Sequence, residues 1–161
     1  MIYIVMGVSG CGKSLIAEKL AAELALPFFD ADDFHSPESV AKMSQGIALT
    51  DADREPWLQG LAKQSLLWQQ EGGAVLACSA LKQKYRDWLA SSQPDEVQFV
   101  YLKGSFELIE SRLSARKNHF MAASLLTSQF NTLEEPQDAI IADISESPEQ
   151  IVAKILQEIR A

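Results

Sequence analysis

The sequence predicts an α/β fold, a parallel β-sheet with helices on both faces, organised around a phosphate-binding loop. Three observations carry that expectation. Short apolar runs of strand length alternate with longer segments of helical period. The first run leads directly into Gly7-Val8-Ser9-Gly10-Cys11-Gly12-Lys13-Ser14, and a helical pattern begins as that loop ends. With 161 residues, 47% of them apolar, the chain suits one compact domain with a real core, read as spanning 1–161.

Taken in chain order, Ile2 to Met6 is the first strand, and Leu15 to Leu20 opens the first helix. Pro27-Phe28-Phe29 reads as a shorter second strand, followed by strands at Ala74 to Cys78, Val97 to Leu102 and Ala139 to Ile144. These runs are nearly continuous in apolar residues, as expected of a sheet covered on both faces. Ile151, Val152, Ile155, Leu156 and Ile159 share one helical face, which predicts a terminal packing helix. Two stretches read as appendages: residues 33–55, rich in polar and turn-forming types, as a substrate-binding insert, and a lid at about 115–125, within a stretch of mixed chemistry over 115–135.

Fourteen Lys and Arg stand against 22 Asp and Glu, a net charge of −8. That balance disfavours broad contact with nucleic acid or an anionic membrane, so an anionic substrate must be met by local positive groups. The apolar start is too short for a signal-peptide core, and no run approaches the roughly 20 apolar residues of a membrane span. The expectation is a cytoplasmic protein. Cys11 and Cys78 have no CxxC or Cys/His neighbourhood and read as reduced thiols.

The loop matches GxxxxGK[ST] in full. Glycines let the backbone turn its amides inward around phosphate oxygens, and the positive end of the next helix adds to the attraction. Lys13 is then placed to reach the β- and γ-phosphates, and Ser14 to ligate Mg²⁺. Cys11 reads as a tolerated small residue and not a nucleophile, although its place near Lys13 and a helix N-terminus could lower its thiol pKa; ATP is expected to shield it from thiol reagents.

The usual acid at the end of a second apolar strand is missing here, since Ala74-Val75-Leu76-Ala77 leads into Cys78-Ser79. Asp30 and Asp32, at the end of the Phe28-Phe29 run, are the candidates to support a metal, at the sheet edge where ligands of open α/β folds bind. Ser79 reads as the N-cap of a helix from which Lys82 and Arg86, four apart, face the same way. Together they could hold a carboxylate; the alternative is a solvated basic face. Arg112 and Arg116 are also four apart, with His119-Phe120 following. They are candidates to close over transferring phosphates, the alternative being complementation of a helix C-terminus.

Together these motifs resemble the thermoresistant-type gluconokinases, in the shikimate-kinase and nucleoside-monophosphate-kinase group of P-loop folds. The resemblance runs nearly end to end. It rests on the loop with Met6, on Asp30, Asp32 and His35, on Lys42-Met43 with Gly46, and on Asp51, Asp53, Arg54, Pro56, Trp57 and Leu58. It continues through Cys78 to Lys82, Tyr85-Arg86-Asp87, Tyr101 to Gly104, Glu110 to Leu113, Arg116, His119-Phe120, Gln129-Phe130, Leu133-Glu134 and Pro136. Three departures stand out: Cys11 where many members carry Ser, Ser36 between His35 and Pro37, and a shorter link from Pro136 to the last strand.

The resemblance implies a P-loop NTPase fold with a five-stranded parallel sheet of order 2-3-1-4-5, a mobile lid and a homodimer. It implies transfer of the ATP γ-phosphate to the 6-hydroxyl of D-gluconate, with Mg²⁺. On that basis Lys13, Asp32 and Arg116 are the expected catalytic residues, and Gly7 to Ser14 with Arg112 and Arg116 the ATP-binding set. Asp32, His35, Arg54, Ser79, Lys82, Arg86 and His119 are expected at the acceptor, and Ser14 and Asp30 at the metal, with the roles of Asp30 and Asp32 exchangeable. A same-fold kinase for another small acceptor, such as shikimate or a nucleotide, is the nearest rival, and a nucleotide-binding switch a more distant one.

Overall fold

The computed structural model describes residues 1–115 and 123–161, with only the helical backbone for 123–125. The elements are β1 (Ile2–Met6), α1 (Lys13–Leu24), β2 (Phe28–Asp30), a 3-10 turn (Ala31–Phe34), α2 (Pro37–Ser44) and α3 (Asp51–Gln70). They continue with β3 (Ala74–Ala77), α4 (Gln83–Ala90), a second 3-10 turn (Pro94–Glu96), β4 (Val97–Lys103), α5 (Phe106–Ser114), α6 (Ala123–Thr132), β5 (Ile140–Asp143) and α7 (Pro148–Arg160). The five strands form one parallel sheet of order β2-β3-β1-β4-β5, with Ile4 of β1 in register with Leu76 and Phe99.

Successive strand residues feed opposite faces, the period-2 consequence of a pleated backbone. Val5, Val75, Val100 and Leu102 pack with Ile16 and Leu20 of α1, Ile109 of α5 and Ile155 of α7. Ile4, Met6, Leu76 and Tyr101 pack on the other face with Leu58, Leu61 and Trp68 of α3 and Leu89 of α4. Each of these fully buried aliphatic side chains contributes about 2 kcal/mol of burial free energy. The apolar face expected on the last helix is seated in the first of these cores.

Helix starts follow hydroxyl caps. The side chains of Ser36, Thr50, Ser105 and Ser147 each accept the backbone N–H three residues on, at about 1 kcal/mol apiece. Ser36, the extra residue between His35 and Pro37, is thus the cap that starts α2. The insert expected over 33–55 comprises α2, a connecting loop and the first turn of α3. Lys42 of α2 ties it to α3 through both carboxylate oxygens of Asp53, at 2.9 and 3.0 Å.

One local expectation is corrected. Ser79 does not cap α4, which begins four residues later at Gln83 with Lys82 in the cap position. The intervening chain turns through Ala80, a buried alanine with φ 46°. Among the described residues no helix is long and apolar enough to cross a membrane.

Candidate active site

The phosphate loop joins the end of β1 to the start of α1 at the carboxyl edge of the sheet. Gly10 (φ 83°) and Gly12 (φ 91°) take left-handed backbone conformations that L side chains rarely adopt, and a Cβ on Gly10 would strike Leu113 of α5 at 2.7 Å. The Lys13 ammonium folds back to the Val8 carbonyl at 3.2 Å. Gly7 N–H donates to the Ser79 carbonyl at 3.3 Å, so the loop and the β3–α4 connection share one edge.

Asp30 closes β2 beside the loop. One carboxylate oxygen accepts from the Ser14 hydroxyl at 3.3 Å, and the other from the Asp32 N–H at 2.9 Å. A hydroxyl and a carboxylate adjacent at the mouth of a phosphate loop are the donor types Mg²⁺ takes when it keeps most of its ligands as water and phosphate oxygen. Among the described residues no cluster of three or more His, Cys, Asp or Glu forms a cage. The pair therefore fits a metal held jointly with the nucleotide.

Asp32 projects outward with its side chain 82% exposed, and its carboxylate lies 3.5 Å from His35 Nε2. The imidazole is 6% exposed, stacks on Trp57 with ring centroids 4.0 Å apart, and has a buried Nδ1 without a hydrogen-bond partner among the described residues. Trp57 is itself anchored by its indole N–H to the Ala31 carbonyl at 2.9 Å. The stack thus sets the Asp30–His35 segment against α3.

A second polar group gathers around the start of α3. Asp51 accepts a short hydrogen bond from the Tyr85 hydroxyl and pairs with Lys82 at 3.3 Å and Lys84 at 3.1 Å. Arg54 donates to the Tyr85 hydroxyl at 3.0 Å and its guanidinium lies over the Tyr85 ring. The Tyr85 hydroxyl, then Lys84, hold the Asp51 carboxyl far below the usual carboxylate range, while burial and Asp51 raise the Tyr85 phenol. Two cations on the Asp51 carboxylate, with Arg54 beside them on Tyr85, give a locally positive group suited to an anion. Sequence reasoning singled out Lys82 and Arg54. The parts of Tyr85 and Asp51 depend on a contact 34 residues apart that no local pattern signals.

Arg86 does not join that group. It is 3% exposed. Nη1 donates to the carbonyls of Ala80 and Leu81, and Nη2 to Gln83 Oε1 and the Glu134 carbonyl. Both terminal nitrogens are spent on the protein, and the remaining Nε lies buried without a partner among the described residues. Lys82 and Arg86 therefore diverge instead of converging on one carboxylate. The physical reason is the left-handed turn at Ala80, whose carbonyl, with that of Leu81, requires a buried donor.

Arg112, in the last turn of α5, donates to the Ile144 carbonyl just beyond β5. Arg116 and His119 lie outside the described residues, as does most of the expected lid. Cys11 is 2% exposed, in keeping with a small residue that is no nucleophile, and only the direction of its pKa is corrected: desolvation outweighs the nearby Lys13, so the thiol pKa is raised. The Cys78 thiol is likewise pushed up to about 12 by burial. Neither is a ready nucleophile.

The shikimate kinase family model matches residues 9–160. The thermoresistant gluconokinase of Escherichia coli is 43% identical over 99% of this chain and 93% of its own length. A gluconokinase of Arabidopsis thaliana is 45% identical over 95% of this chain and 89% of its own. The crystal structure of a gluconokinase from Sinorhizobium meliloti superposes with a TM-score of 0.89 at 40% identity, covering 99% of this chain and 91% of that one. The shikimate kinase of Aquifex aeolicus, 17% identical with a TM-score of 0.60, shares the fold. With its sheet order, its phosphate loop and these full-length likenesses, the chain belongs to the gluconokinase family, within the shikimate-kinase group of P-loop kinases.

Proposed function

We propose that the chain transfers the γ-phosphate of ATP to the 6-hydroxyl of D-gluconate, giving 6-phospho-D-gluconate and ADP. The observation that carries this reading is near full-length identity above 40% to proteins named gluconokinases from a bacterium and a plant, on a chain whose phosphate loop is intact. Residues Gly7 to Ser14 cradle the nucleotide phosphates. Lys13 leaves the Val8 carbonyl to meet the γ-phosphate. Ser14 and Asp30 hold the metal or its waters, and Mg²⁺ there would neutralise charge on the β- and γ-phosphate oxygens.

On the acceptor side, Asp32 orients the 6-hydroxyl and accepts its proton, steadied by His35 on its Trp57 platform. Arg54 and Lys82, gathered by Asp51 and Tyr85, receive the gluconate carboxylate. Ser79, whose carbonyl accepts the Gly7 N–H, is the residue assigned to the acceptor next to the loop. Arg86 serves the framework through its carbonyl contacts. Arg112, Arg116 and His119 belong to the lid side, and closure of 115–125 over the phosphates excludes water that would otherwise waste ATP. The insert 33–55 contributes His35, Asp51 and Arg54 to the acceptor side. The resemblance also supports a cytoplasmic homodimer, which light scattering at micromolar concentration tests.

A coupled ADP-release assay over D-gluconate, other sugar acids, shikimate and nucleoside monophosphates decides the acceptor. Gluconate should give the highest kcat/KM of the panel. An inactive gluconate beside another active acceptor overturns the assignment.

A further inference from the structure

Helix α6 reaches the phosphate loop through Gln129. Its Oε1 accepts the backbone N–H of Ser9 at 2.7 Å, and its Nε2 donates to Ser9 Oγ at 3.0 Å. These two bonds settle the orientation of the amide. A backbone N–H can only donate, so the atom facing it must be the amide oxygen, and the atom facing Oγ is then the NH₂, which cannot accept. The Ser9 hydroxyl oxygen is thereby an acceptor toward Gln129, and its own proton must point elsewhere.

The neighbouring geometry indicates where. Ser9 adjoins Val8, on whose carbonyl the Lys13 ammonium rests at 3.2 Å. Ser9 is itself a residue of the phosphate loop and is only partly buried, so its hydroxyl stands on the loop that would hold the nucleotide phosphates. Its proton, turned from Gln129, is available to an anionic oxygen bound in the loop.

We propose that Gln129 is a positioning residue for phosphoryl transfer: it orients the Ser9 hydroxyl as a hydrogen-bond donor to the terminal phosphate of bound ATP. The idea rests on reading the loop as the ATP site. Gln129 stands on α6, so this double bond ties that helix to the phosphate loop. Gln129 would thus act through Ser9, setting the direction in which the loop hydroxyl points its proton. Losing one hydrogen bond to a charged oxygen corresponds to about a 10- to 100-fold effect.

The test compares Ser9→Ala, Gln129→Met, their double variant and Gln129→Glu by ADP release with gluconate, alongside thermal melting. Ser9→Ala and Gln129→Met should each lower kcat by about 10- to 100-fold with the gluconate KM nearly unchanged. The double variant should lose clearly less than the product of the two. Glutamate at 129 can still accept the Ser9 N–H, but as a carboxylate it pulls the hydroxyl proton toward itself. Its kcat relative to wild type should recover as pH falls and the protonated carboxyl again donates to Oγ, whereas Gln129→Met should show no recovery.

A Gln129→Met enzyme with wild-type kcat, fully multiplicative losses, or a Gln129→Glu profile parallel to wild type overturns the proposal while leaving the kinase reading intact. Wild-type protein inactive with every acceptor overturns both. Should Gln129→Met prove unstable, the Ser9→Ala kcat and the Gln129→Glu pH profile carry the decision.

Discussion

The two halves of the site are built differently. The phosphate side is a contiguous run, Gly7 to Ser14, whose binding surface is backbone amide and whose shape comes from glycines in left-handed conformations. The proposed acceptor side draws Asp32 and His35 from the segment after β2, Asp51 and Arg54 from α3, and Lys82, Lys84 and Tyr85 from the start of α4, held together by side chains bonding to one another. One half is specified by local backbone geometry, the other by long-range pairing. Damage to the first should strike turnover, and damage to the second should strike acceptor affinity.

The largest effect is expected at Lys13. Lys13→Ala should reduce kcat by about 100- to 1,000-fold, in line with removing one group that stabilises transition-state charge, while the melting temperature stays close to wild type. Its ammonium is hydrogen-bonded to a loop carbonyl, that of Val8, and to no side chain among the described residues, which makes a folding role small. A variant with near-normal kcat would end the division of labour drawn above.

Arg86 sharpens the comparison from the framework side. Arg86→Met should cost about 3 kcal/mol of stability, because the buried carbonyls of Ala80 and Glu134 lose their donor. The folded fraction should keep its gluconate KM. A large rise in KM without a stability loss would return Arg86 to the acceptor site.

Next comes Asp51. Asp51→Asn releases Lys82, Lys84 and Tyr85 from their common partner. The gluconate KM should rise by about tenfold with the ATP KM unchanged, the reverse of a phosphate-loop defect. Equal changes in both constants would show the two halves to be one unit.

The smallest effect is on stability in acid. Lys42, followed by the Thr50 cap, lowers the Asp53 carboxyl to about 2 in the folded protein. A depressed carboxyl stabilises above its unfolded pKa of about 4, and that contribution is lost as pH falls from about 4 to about 2. Asp51, lowered further, acts in the same direction. Between pH 5 and pH 3 the melting temperature of Asp53→Asn should therefore fall less than that of wild type.

Legibility in the sequence followed the same divide. Strands announced themselves as apolar runs because both sheet faces are covered, and the Ile2 to Met6 run coincides with β1. The phosphate loop was readable because eight adjacent residues fix its shape. Ser79 misled, since a serine ahead of a helical pattern looks like a cap; only the buried turn at Ala80 and the Arg86 contacts show why the helix starts later. The pairing of Asp51 with Tyr85 and of Gln129 with Ser9 joins residues 34 and 120 positions apart, distances at which spacing carries no information.

The Arg86 bond to Glu134 has a consequence for chain continuity. Glu134 also returns its N–H to the Leu81 carbonyl and its carboxylate to the Gln83 N–H, while Gln129 grips Ser9. The portion after residue 122 is thus fastened to the earlier portion at the loop and at α4, and β5 zips along β4. A protein cut between 116 and 122, or expressed as two pieces divided there, should stay assembled as a non-covalent pair. The peptide bonds across that stretch would then matter for the timing of phosphoryl transfer more than for the existence of the fold.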